Sequence, residues 1–461
     1  MSTKPYLFQL KDVRQIARMG GRALCSHDMG LGKTLISLLY LHRHPECLPA
    51  VIVCPAPLKW QWQREAARHY GLRAEVLSGV NPTPFGIAGT PPAVIVNYEI
   101  LGPSRHGPGW VDALKALKPQ MVIIDESAAV KDPRSGRCKA VKKLCQGVPN
   151  VLFLSATPIE IRPMELWSTL NILRPEKFPS QWRFGHTYCG AKKTPWAWDF
   201  SGASRLDELS KELEGIMIRR RKADVIKDLP KKIRSVVPLE LSDPRQYELA
   251  SSDFLKWLMK TSPGRIAGAS RASGLAKAGH LKRLAAELKL PAAIGWVDLW
   301  LESNPGKILL FCAHRKIVST LHARYRKTCV VVDGSVTGKK RQAAVDQFQN
   351  NAGSRVFIGN MQAAGKGLNL TAAYASAFME LPWKPTDVTQ AEDRAYARLS
   401  DMHGTQSFFL TAVGTIEERI ANMLQKRQRL VSKVLDGEGD SEQLDLFDLL
   451  CDSLRKETAC K

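Results

Sequence analysis

Short, uninterrupted apolar runs recur along the first third of the chain. They lie at residues 50–54, 93–96, 121–124 and 151–154, and helical or turn-forming segments separate them. Runs of four or five apolar residues without polar alternation are typical of strands that are buried on both faces of a parallel sheet. The first part of the chain is therefore predicted to form an α/β domain.

The same pattern returns later in the chain. Residues 307–312, 330–334 and 355–359 are predicted strands, and a helical pattern follows at residues 416–434. Between about residues 160 and 290, buried strands are not expected, because helical, basic and aromatic segments take their place. The alternation of strands and helices after residue 290 predicts a second α/β domain.

These patterns predict four regions. The expected bounds are 1–175 for a first lobe, 176–290 for helical insertions and a linker, 291–435 for a second lobe, and 436–461 for an acidic tail. The tail carries apolar side chains among its acids, so it is predicted to be a short docking helix or partly disordered.

A glycine-rich stretch at residues 26–34, Ser-His-Asp-Met-Gly-Leu-Gly-Lys-Thr, lies between a short apolar run and an apolar helical pattern. Glycines let backbone N–H groups close around phosphate oxygens. Lys33 can then reach the β- and γ-phosphates, and the Thr34 hydroxyl can hold Mg²⁺. His27 stands where the G-x-x-x-x-G-K-S/T pattern has its first glycine. The alternative is a glycine turn that binds nothing, but the strand–loop–helix context favours nucleotide binding.

Two further segments suit a nucleotide site. Asp125 and Glu126 directly follow the predicted strand at 121–124. Ligands of parallel sheets bind at such strand ends, where Asp125 can hold Mg²⁺ and Glu126 can polarise an attacking water. Gln9 precedes the glycine loop by about 20 residues, and its amide can pair with both edges of adenine. The alternatives are an exposed acidic turn and a surface glutamine.

The second predicted domain has no phosphate loop of its own. Its polar segments at the sheet edge are residues 365–371 and 390–398. Arginines from this domain can complete the first domain's site by stabilising charge on the transferring phosphoryl group. The alternative is that they form salt bridges on a helix surface.

The chain of 461 residues has a formal net charge of +23, which argues for a polyanionic partner, with nucleic acid as the first candidate. A solvated basic surface is the alternative. No apolar run is long enough for a membrane span, and the start of the chain lacks the apolar core of a signal peptide. The ten cysteines form no C-x-x-C pair, which indicates buried thiols in a reducing compartment.

Clusters of basic and aromatic residues mark the middle region. Aromatic clusters lie at residues 181–184 and 195–200, and a basic run at 219–222 is followed by Lys231 and Lys232. Such clusters can contact phosphates, although each one alone is more often a solvated face or a tryptophan core.

Taken together, the motifs resemble the superfamily-two helicase core and, more closely, the Snf-type double-stranded-DNA translocases of the annealing-helicase (HARP-related) branch. The resemblance covers nearly the whole chain, and its strength lies in six motifs in one order: Gln9, residues 28–34, residues 125–127, residues 155–158, residues 365–371 and residues 390–394. Residues 188–204 are similar to a stretch peculiar to that branch.

The resemblance implies two RecA-like parallel-sheet lobes with ATP between them, DNA across their top, and ATP and Mg²⁺ as cofactors. Thr34 and Asp125 are the implied metal ligands, and Lys33, Glu126, Gln390, Arg394 and Arg398 the implied catalytic residues. The residues expected to bind nucleotide are Gln9, Asp28, Met29, Gly30, Leu31, Gly32, Lys33, Thr34, Asp125 and Gly367.

Two positions depart from the family pattern. Ala128 replaces the histidine that follows Asp-Glu-Ser in the family, and Ala397 stands where the second arginine is expected, with Arg398 one residue further on. We expect these changes to affect the coupling between lobes more than ATP binding.

The leading hypothesis is a DNA-dependent ATPase that translocates on, remodels or reanneals double-stranded or forked DNA. The alternatives are a strand-separating DNA or RNA helicase and a non-catalytic nucleic-acid clamp. A monomer in the cytoplasm of a bacterial or phage-infected cell is expected. The acidic tail is a candidate docking segment for a protein partner.

Overall fold

The computed structural model describes residues 4–82, 89, 91–102, 109–195, 197–225, 232–252, 274–334, 336, 338–361, 368, 370–395 and 405–436. The chain divides into two compact units. The first comprises residues 1–229 and 430–439, and the second comprises residues 230–429 and 440–461.

The first unit is built on a seven-stranded parallel sheet with the order β3-β4-β2-β5-β6-β1-β9, and β7 and β8 form a separate antiparallel pair. The strands are β1 (Arg22–Cys25), β2 (Ala50–Cys54), β3 (Ala74–Val76), β4 (Ala93–Asn97), β5 (Met121–Asp125), β6 (Asn150–Leu154), β7 (Lys192–Lys193), β8 (Trp198–Asp199) and β9 (Met217–Ile218).

Helices cover both faces of this sheet. They are α1 (Leu7–Arg18), α2 (Lys33–Arg43), α3 (Lys59–Tyr70), α4 (Trp110–Ala116), α5 (Gly136–Cys145), α6 (Trp167–Leu173), α7 (Gln181–Tyr188), α8 (Leu206–Glu214) and α9 (Lys222–Val225). Short 3-10 helices occur at Pro45–Cys47, Ala56–Leu58, Tyr98–Leu101, Ser127–Val130 and Pro163–Leu166.

The continuous apolar runs are explained by two apolar layers, one on each face of the sheet. In β2, Val51 and Val53 join the layer that also holds residues of α4 to α8. Ile52 and Cys54 join the opposite layer, which holds residues of α1 to α3. Because successive strand side chains point to opposite faces, a strand covered on both sides needs an apolar residue at every position.

The second unit contains a six-stranded parallel sheet with the order β10-β15-β14-β11-β13-β12. The strands are β10 (Lys232–Leu239), β11 (Lys307–Cys312), β12 (Cys329–Val332), β13 (Val356–Asn360), β14 (Ala373–Phe378) and β15 (Thr405–Ala412). The helices are α10 (Pro244–Ser252), α11 (Gly274–Ser303), α12 (Arg315–Tyr325), α13 (Gly338–Asn350), α14 (Pro385–Ala395) and α15 (Ile416–Asp436).

Aromatic rings fill one of the two apolar layers of the second unit. Phe378 and Phe409, on neighbouring strands, stack with ring centroids 4.8 Å apart and an interplanar angle of 2°. Phe311 lies 5.4 Å from Phe378 on the other side. Stacked rings of this kind bury large areas and hold adjacent strands together.

The predicted fold class, two RecA-like parallel-sheet lobes with helical insertions, is confirmed, and each predicted apolar run contributes to a strand. One difference lies between residues 160 and 290, where the four strands β7 to β10 occur, although of these only β9 contains a buried residue. β10 is an edge strand that is only partly buried, so its sequence lacks an uninterrupted apolar run. Among the described residues, no helix has the length and apolar character needed to cross a membrane.

Candidate nucleotide site

The glycine-rich stretch forms the predicted loop between β1 and α2. Gly30 and Gly32 have φ angles of 84° and 77°, in the left-handed region that glycine adopts without steric cost. The Lys33 ammonium donates to the carbonyl oxygens of His27 and Asp28 at 2.7 and 3.2 Å. The lysine therefore lies over the loop, in the position from which it can bind phosphate oxygens.

Gln9 packs directly against this loop. Its side-chain amide donates to the carbonyl of Leu31 at 3.3 Å, and its carbonyl oxygen accepts from the backbone N–H of Tyr6 at 3.0 Å. A Cβ atom on Gly32 would lie 2.7 Å from the Gln9 amide nitrogen, so no larger residue fits there without a shift. The structure thus places Gln9 beside the phosphate loop.

Asp125 ends β5, two strands away from β1 at the same edge of the sheet. The indole N–H of Trp62, on α3, donates to the Asp125 carboxylate at 2.9 Å, and the Tyr98 hydroxyl donates to the Asp125 carbonyl at 2.5 Å. Burial and the neighbouring Glu126 raise the pKa of Asp125 to about 7, whereas the Trp62 hydrogen bond and the charge of Lys33 lower it. The contact of Trp62 with Asp125 was not predicted, because nothing in the sequence distinguishes Trp62 from a core tryptophan.

Glu126 has an unusual backbone conformation. Its φ and ψ angles of 59° and 64° lie in the left-handed region, which a non-glycine residue seldom adopts. Such conformations persist where the surrounding structure enforces them, and they are frequent at functional sites. The next residues, Ser127–Val130, form a short 3-10 helix that contains Ala128.

The oxygen groups at this edge fit a magnesium ion. Thr34 lies in the first turn of α2, directly after the loop lysine. Asp125 offers a carboxylate that Trp62 already orients. Carboxylate and hydroxyl oxygens, supplemented by substrate phosphates, are the ligands that Mg²⁺ takes in nucleotide enzymes.

The basic run after β9 contacts the loop region of the same unit. The Arg220 guanidinium binds Asp12 of α1 through Nε and Nη2 at 2.8 and 2.6 Å. The Asp12 carboxylate also binds Nε2 of His27 at 2.9 Å. His27 is fully buried, so the residue in the place of the usual first glycine belongs to a buried charge cluster.

The groups of this cluster shift one another's pKa values. Burial alone would raise the pKa of Asp12, but hydrogen bonds from His27 and Arg220 hold it below its ordinary value. Burial opposes the charged form of His27, yet the neighbouring Cys25 sulfur and the Asp12 carboxylate raise the pKa of His27 to about 9. The raised pKa favours the protonated form of this buried imidazole at neutral pH.

Neighbouring residues of the run make further contacts with the loop. The backbone N–H of Lys222 donates to the Asp28 carboxylate at 2.9 Å. Arg219 donates to the Ser26 carbonyl at 3.1 Å and pairs with Asp436 at the end of α15, in the last turns of that helix, which belong to the first unit. Two arginines of the predicted basic run are thus occupied by acidic and carbonyl oxygens of their own unit.

In the second unit, α14 carries Gln390 and Arg394, and both residues are at least partly buried. Arg394 donates to the carbonyl of Leu368 at 3.1 Å, and its own carbonyl accepts from the backbone N–H of Leu370 at 3.2 Å. Two of the predicted polar segments therefore meet. Gly367 and Arg398 lie outside the described residues.

Two buried ion pairs connect α14 to the edge strand β10. Arg234 binds both carboxylate oxygens of Glu392, at 2.9 and 2.8 Å, and Lys232 binds Asp393 at 2.9 Å. Burial alone would raise the pKa of Glu392, but Arg234 and Lys232 hold it below its ordinary value. Salt bridges on this helix were one of the two alternatives expected from the sequence, but their partners on β10 have no local signal in it.

A parallel sheet with a glycine–lysine loop and an Asp–Glu pair at one edge defines a nucleotide-binding unit of the helicase-like ATPase class. The SNF2-related domain matches residues 14–272, and the helicase conserved C-terminal domain matches residues 289–398. Because the first match spans more than half of the chain, the protein belongs to the SNF2-related family. The expected resemblance is thereby confirmed.

Curated relatives carry the annealing-helicase name. The chain is 31% identical over 467 residues to "DNA annealing helicase and endonuclease ZRANB3" of Bos taurus, covering 95% of this chain and 42% of the relative. The Homo sapiens protein of that name is 30% identical over 468 residues, with the same coverage. The chain thus spans less than half of the length of these relatives.

A second group of relatives has another name. The "SWI/SNF-related matrix-associated actin-dependent regulator of chromatin subfamily A-like protein 1" of Xenopus tropicalis is 31% identical over 444 residues, covering 92% of this chain and 44% of the relative. Among solved structures, the "Sulfolobus solfataricus SWI2/SNF2 ATPase core in complex with dsDNA" is 22% identical, with a TM-score of 0.45, covering 99% of this chain and 97% of that one.

Proposed function

We propose that the protein is an ATP-dependent double-stranded-DNA translocase that couples ATP hydrolysis to DNA remodelling or strand annealing. The observation that carries this proposal is that the Lys33 loop and the Asp125–Glu126 pair both follow the carboxyl ends of strands in one parallel sheet, in a chain of the SNF2-related family. The net charge of +23 supports a polyanionic partner. The preferred partner is double-stranded or forked DNA.

In this proposal the residues around the loop hold the substrate. Backbone N–H groups of residues 28–34 and the Lys33 ammonium bind the phosphates of ATP, and the Gln9 amide pairs with adenine. Thr34 and Asp125 hold Mg²⁺, which supplies charge neutralisation at the phosphates when it is bound.

Glu126 then orients the attacking water and accepts its proton. The water oxygen forms a bond to the γ-phosphorus while the bond to the bridging oxygen breaks, and ADP keeps that electron pair. From the second unit, Gln390, Arg394 and Arg398 stabilise the charge on the transferring group, and Gly367 belongs to the same nucleotide site. Nucleotide-dependent opening and closing of the two units moves the protein along the duplex.

The test of this function is the ATPase rate with blunt duplex, forked DNA, single-stranded DNA and RNA. We expect the greatest stimulation by DNA that contains a duplex, and ATP-driven reannealing of a partly unwound duplex. Strand separation without reannealing would indicate a helicase instead. DNA binding without turnover would indicate a clamp.

We propose that the working form is a monomer with the lobes at 1–175 and 291–435, the insertions at 176–290 and the tail at 436–461. A single chain contains both parallel-sheet units, which supports a monomer. Light scattering of the purified chain tests the monomer, because a dimeric mass contradicts it.

We place the protein in the cytoplasm of a bacterial or phage-infected cell. The described cysteines are all unpaired, which supports a reducing compartment.

We also propose that the acidic tail binds a protein that itself resides on DNA. Residues 437–461 lie outside the described residues, and the proposal rests on their sequence. The acids of the tail disfavour DNA as its ligand, whereas the Gln-Leu-Asp-Leu-Phe stretch at 443–447 suits an apolar pocket with a polar rim. A motor that shares its duplex with a sliding, ring-shaped DNA clamp gains from such a tether.

A peptide of residues 437–461, titrated onto purified bacterial sliding clamp, tests this docking. We expect saturable binding that is lost when Leu446 and Phe447 are replaced by alanine. Binding that survives both replacements, or no binding at all, contradicts the proposal.

A further inference from the structure

Three aromatic rings lie together on the surface of the first unit. The ring of His186 lies 3.9 Å from that of Trp182 and 4.3 Å from that of Trp198, measured between ring centroids. Trp182 is 58% exposed and Trp198 is 42% exposed. We call this group of Trp182, His186 and Trp198 the aromatic platform. Exposed tryptophans that share one neighbouring ring form an apolar surface patch, and such patches often mark an interaction site.

Close packing of glycines holds the platform in place. A Cβ atom on Gly185, in α7, would lie 2.6 Å from the ring of Phe200, which follows β8. A Cβ atom on Gly202 would lie 2.9 Å from the carbonyl of Cys189. The hairpin formed by β7 and β8 therefore lies closer to α7 than side chains larger than glycine at positions 185 and 202 would permit. This close packing fixes the positions of the rings.

A hydrogen-bonded base closes the hairpin. The Ser204 hydroxyl accepts from the backbone N–H of Gly190 at 2.8 Å and donates to the carbonyl of Thr187 at 2.8 Å. These bonds join the segment after β8 to the segment before β7. The two ends of the hairpin are thus held together at the foot of the platform.

Positive charge surrounds the rings. Lys193 of β7 pairs directly with Trp198 of β8, so that both side chains project from the same face of the hairpin. Arg183, next to Trp182 in α7, is also exposed, whereas Lys192 pairs with Asp199 and so projects from the opposite face of the hairpin. The carboxylate of Asp199 accepts from the backbone N–H and the hydroxyl of Ser201, both at 2.9 Å, so the hairpin's acid is engaged within the hairpin.

The platform is connected along the chain to β6, which lies beside β1 in the sheet. The connecting segment leaves the carboxyl end of β6 at Ser155. Met164, further along this segment, belongs to the same apolar cluster as Phe184 of α7 and Phe200 after β8. Because β6 lies beside β1, the segment that leads to the hairpin starts at the same end of the sheet as the glycine loop.

From this arrangement we infer that the aromatic platform stacks on an unpaired DNA base next to a duplex, while Lys193 and Arg183 bind the adjoining phosphates. Indole rings stack on the π-face of any base, and neighbouring cations track the backbone. A continuous duplex offers no unstacked base. The inference rests on the proposed DNA-dependent function and deepens it, because it selects forked DNA over blunt duplex.

The experiment compares the full-length protein with its Trp198→Ala and Trp182→Ala variants. Binding is measured by fluorescence anisotropy on a forked DNA and on a blunt duplex of equal duplex length. We expect a roughly tenfold loss of affinity for the fork, and a change of less than about twofold for the duplex, because stacking contributes about 1–3 kcal/mol per base. Trp60→Ala is the matched control, since Trp60 is 60% exposed in the same unit but is not part of the platform.

A base analogue reports the contact directly. With 2-aminopurine as the first unpaired base of the fork, we expect wild-type protein to change its fluorescence and Trp198→Ala to abolish that change. The Trp198→Phe variant, which keeps a stacking ring, should restore most of the signal. The replacement of Lys193 by glutamine changes an exposed side chain only, and it should weaken fork binding without lowering the melting temperature.

The inference is overturned if fork and duplex affinities fall equally, or if neither falls. Failure of the proposed function has a different signature, because wild-type protein would then show no stimulation of its ATPase by any DNA, whatever the platform binds.

Discussion

The indole N–H of Trp62 donates a hydrogen bond to the carboxylate of Asp125 across 2.9 Å, although the two residues are 63 positions apart. Trp62 belongs to α3, and Asp125 ends β5. A donor of this kind fixes the rotamer of a carboxylate before a metal arrives. The relationship makes Trp62 a positioning residue for the proposed magnesium site.

Replacing Trp62 by phenylalanine removes this donor while keeping most of the packing. We expect the Mg²⁺ concentration that gives half-maximal ATPase activity to rise roughly tenfold, which is the usual cost of losing a partner of a metal ligand. Binding of a fluorescent ATP analogue without Mg²⁺ should change little. Trp60→Phe on the same helix is the control, and an equal effect of both variants would refute the positioning role.

The Arg220–Asp12 contact predicts unequal effects of two adjacent arginines. Arg220→Gln leaves a buried carboxylate with fewer donors, so the free energy of unfolding should fall by about 2 kcal/mol. Arg221 pairs with Asp224 on the exposed surface, and Arg221→Gln should change stability by less than about 0.5 kcal/mol. Denaturant unfolding measures both changes. Similar losses for the two variants would contradict the anchoring role of Arg220.

The buried His27 cation predicts a pH dependence. Its pKa is raised from 6.5 to about 9 on folding, so its contribution to stability is complete below pH 6.5 and is lost as the pH rises through 9. The melting temperature of wild-type protein should therefore fall more steeply between pH 7 and pH 10 than that of His27→Gln, which cannot titrate at this position. Parallel curves would show that His27 is not charged in the folded protein.

The ion pair between Arg234 and Glu392 predicts a role for β10 in holding α14. Arg234→Gln leaves Glu392 as a buried carboxylate, and we expect a loss of roughly 3 kcal/mol in stability. We also expect reduced ATPase activity, because α14 carries the proposed catalytic residues Gln390 and Arg394. Lys316→Gln removes a lysine from an exposed ion pair with Glu287 in the same unit and serves as the control. Unchanged activity in a folded Arg234→Gln protein would show that the contact of β10 with α14 is not needed for ATPase activity.

Local patterns were sufficient to predict the main strands and the loop. Val51 to Val53 indicated a doubly covered strand because both faces of the sheet require apolar side chains, and Gly30 to Thr34 indicated a phosphate loop because that chemistry depends on adjacent residues. The contacts of Asp12 with Arg220, 208 positions later, had no such local signal. They depend on β9 lying beside β1, which follows from topology and not from spacing along the chain.

The edge strand β10 could not be predicted from local sequence patterns either. β10 is partly exposed along its length, and its charged Lys232 and Arg234 interrupt the apolar pattern. Those charges occur in a strand because Glu392 and Asp393 neutralise them in the folded unit. Without knowledge of these partners, the sequence of this segment is typical of a basic linker. The exposed rings of Trp182 and Trp198 were likewise read as either a phosphate-binding cluster or a tryptophan core, and only the fold shows them on the surface.

The central claim is that one site, built on the Lys33 loop and the Asp125–Glu126 pair, hydrolyses ATP in response to duplex-containing DNA. Its most direct test is the ATPase rate of wild type, Lys33→Ala and Glu126→Gln with and without a forked duplex. We predict DNA-stimulated turnover in wild type, and no turnover but measurable DNA binding in both variants. Normal turnover in either variant, or a wild-type rate that no DNA changes, would contradict the account.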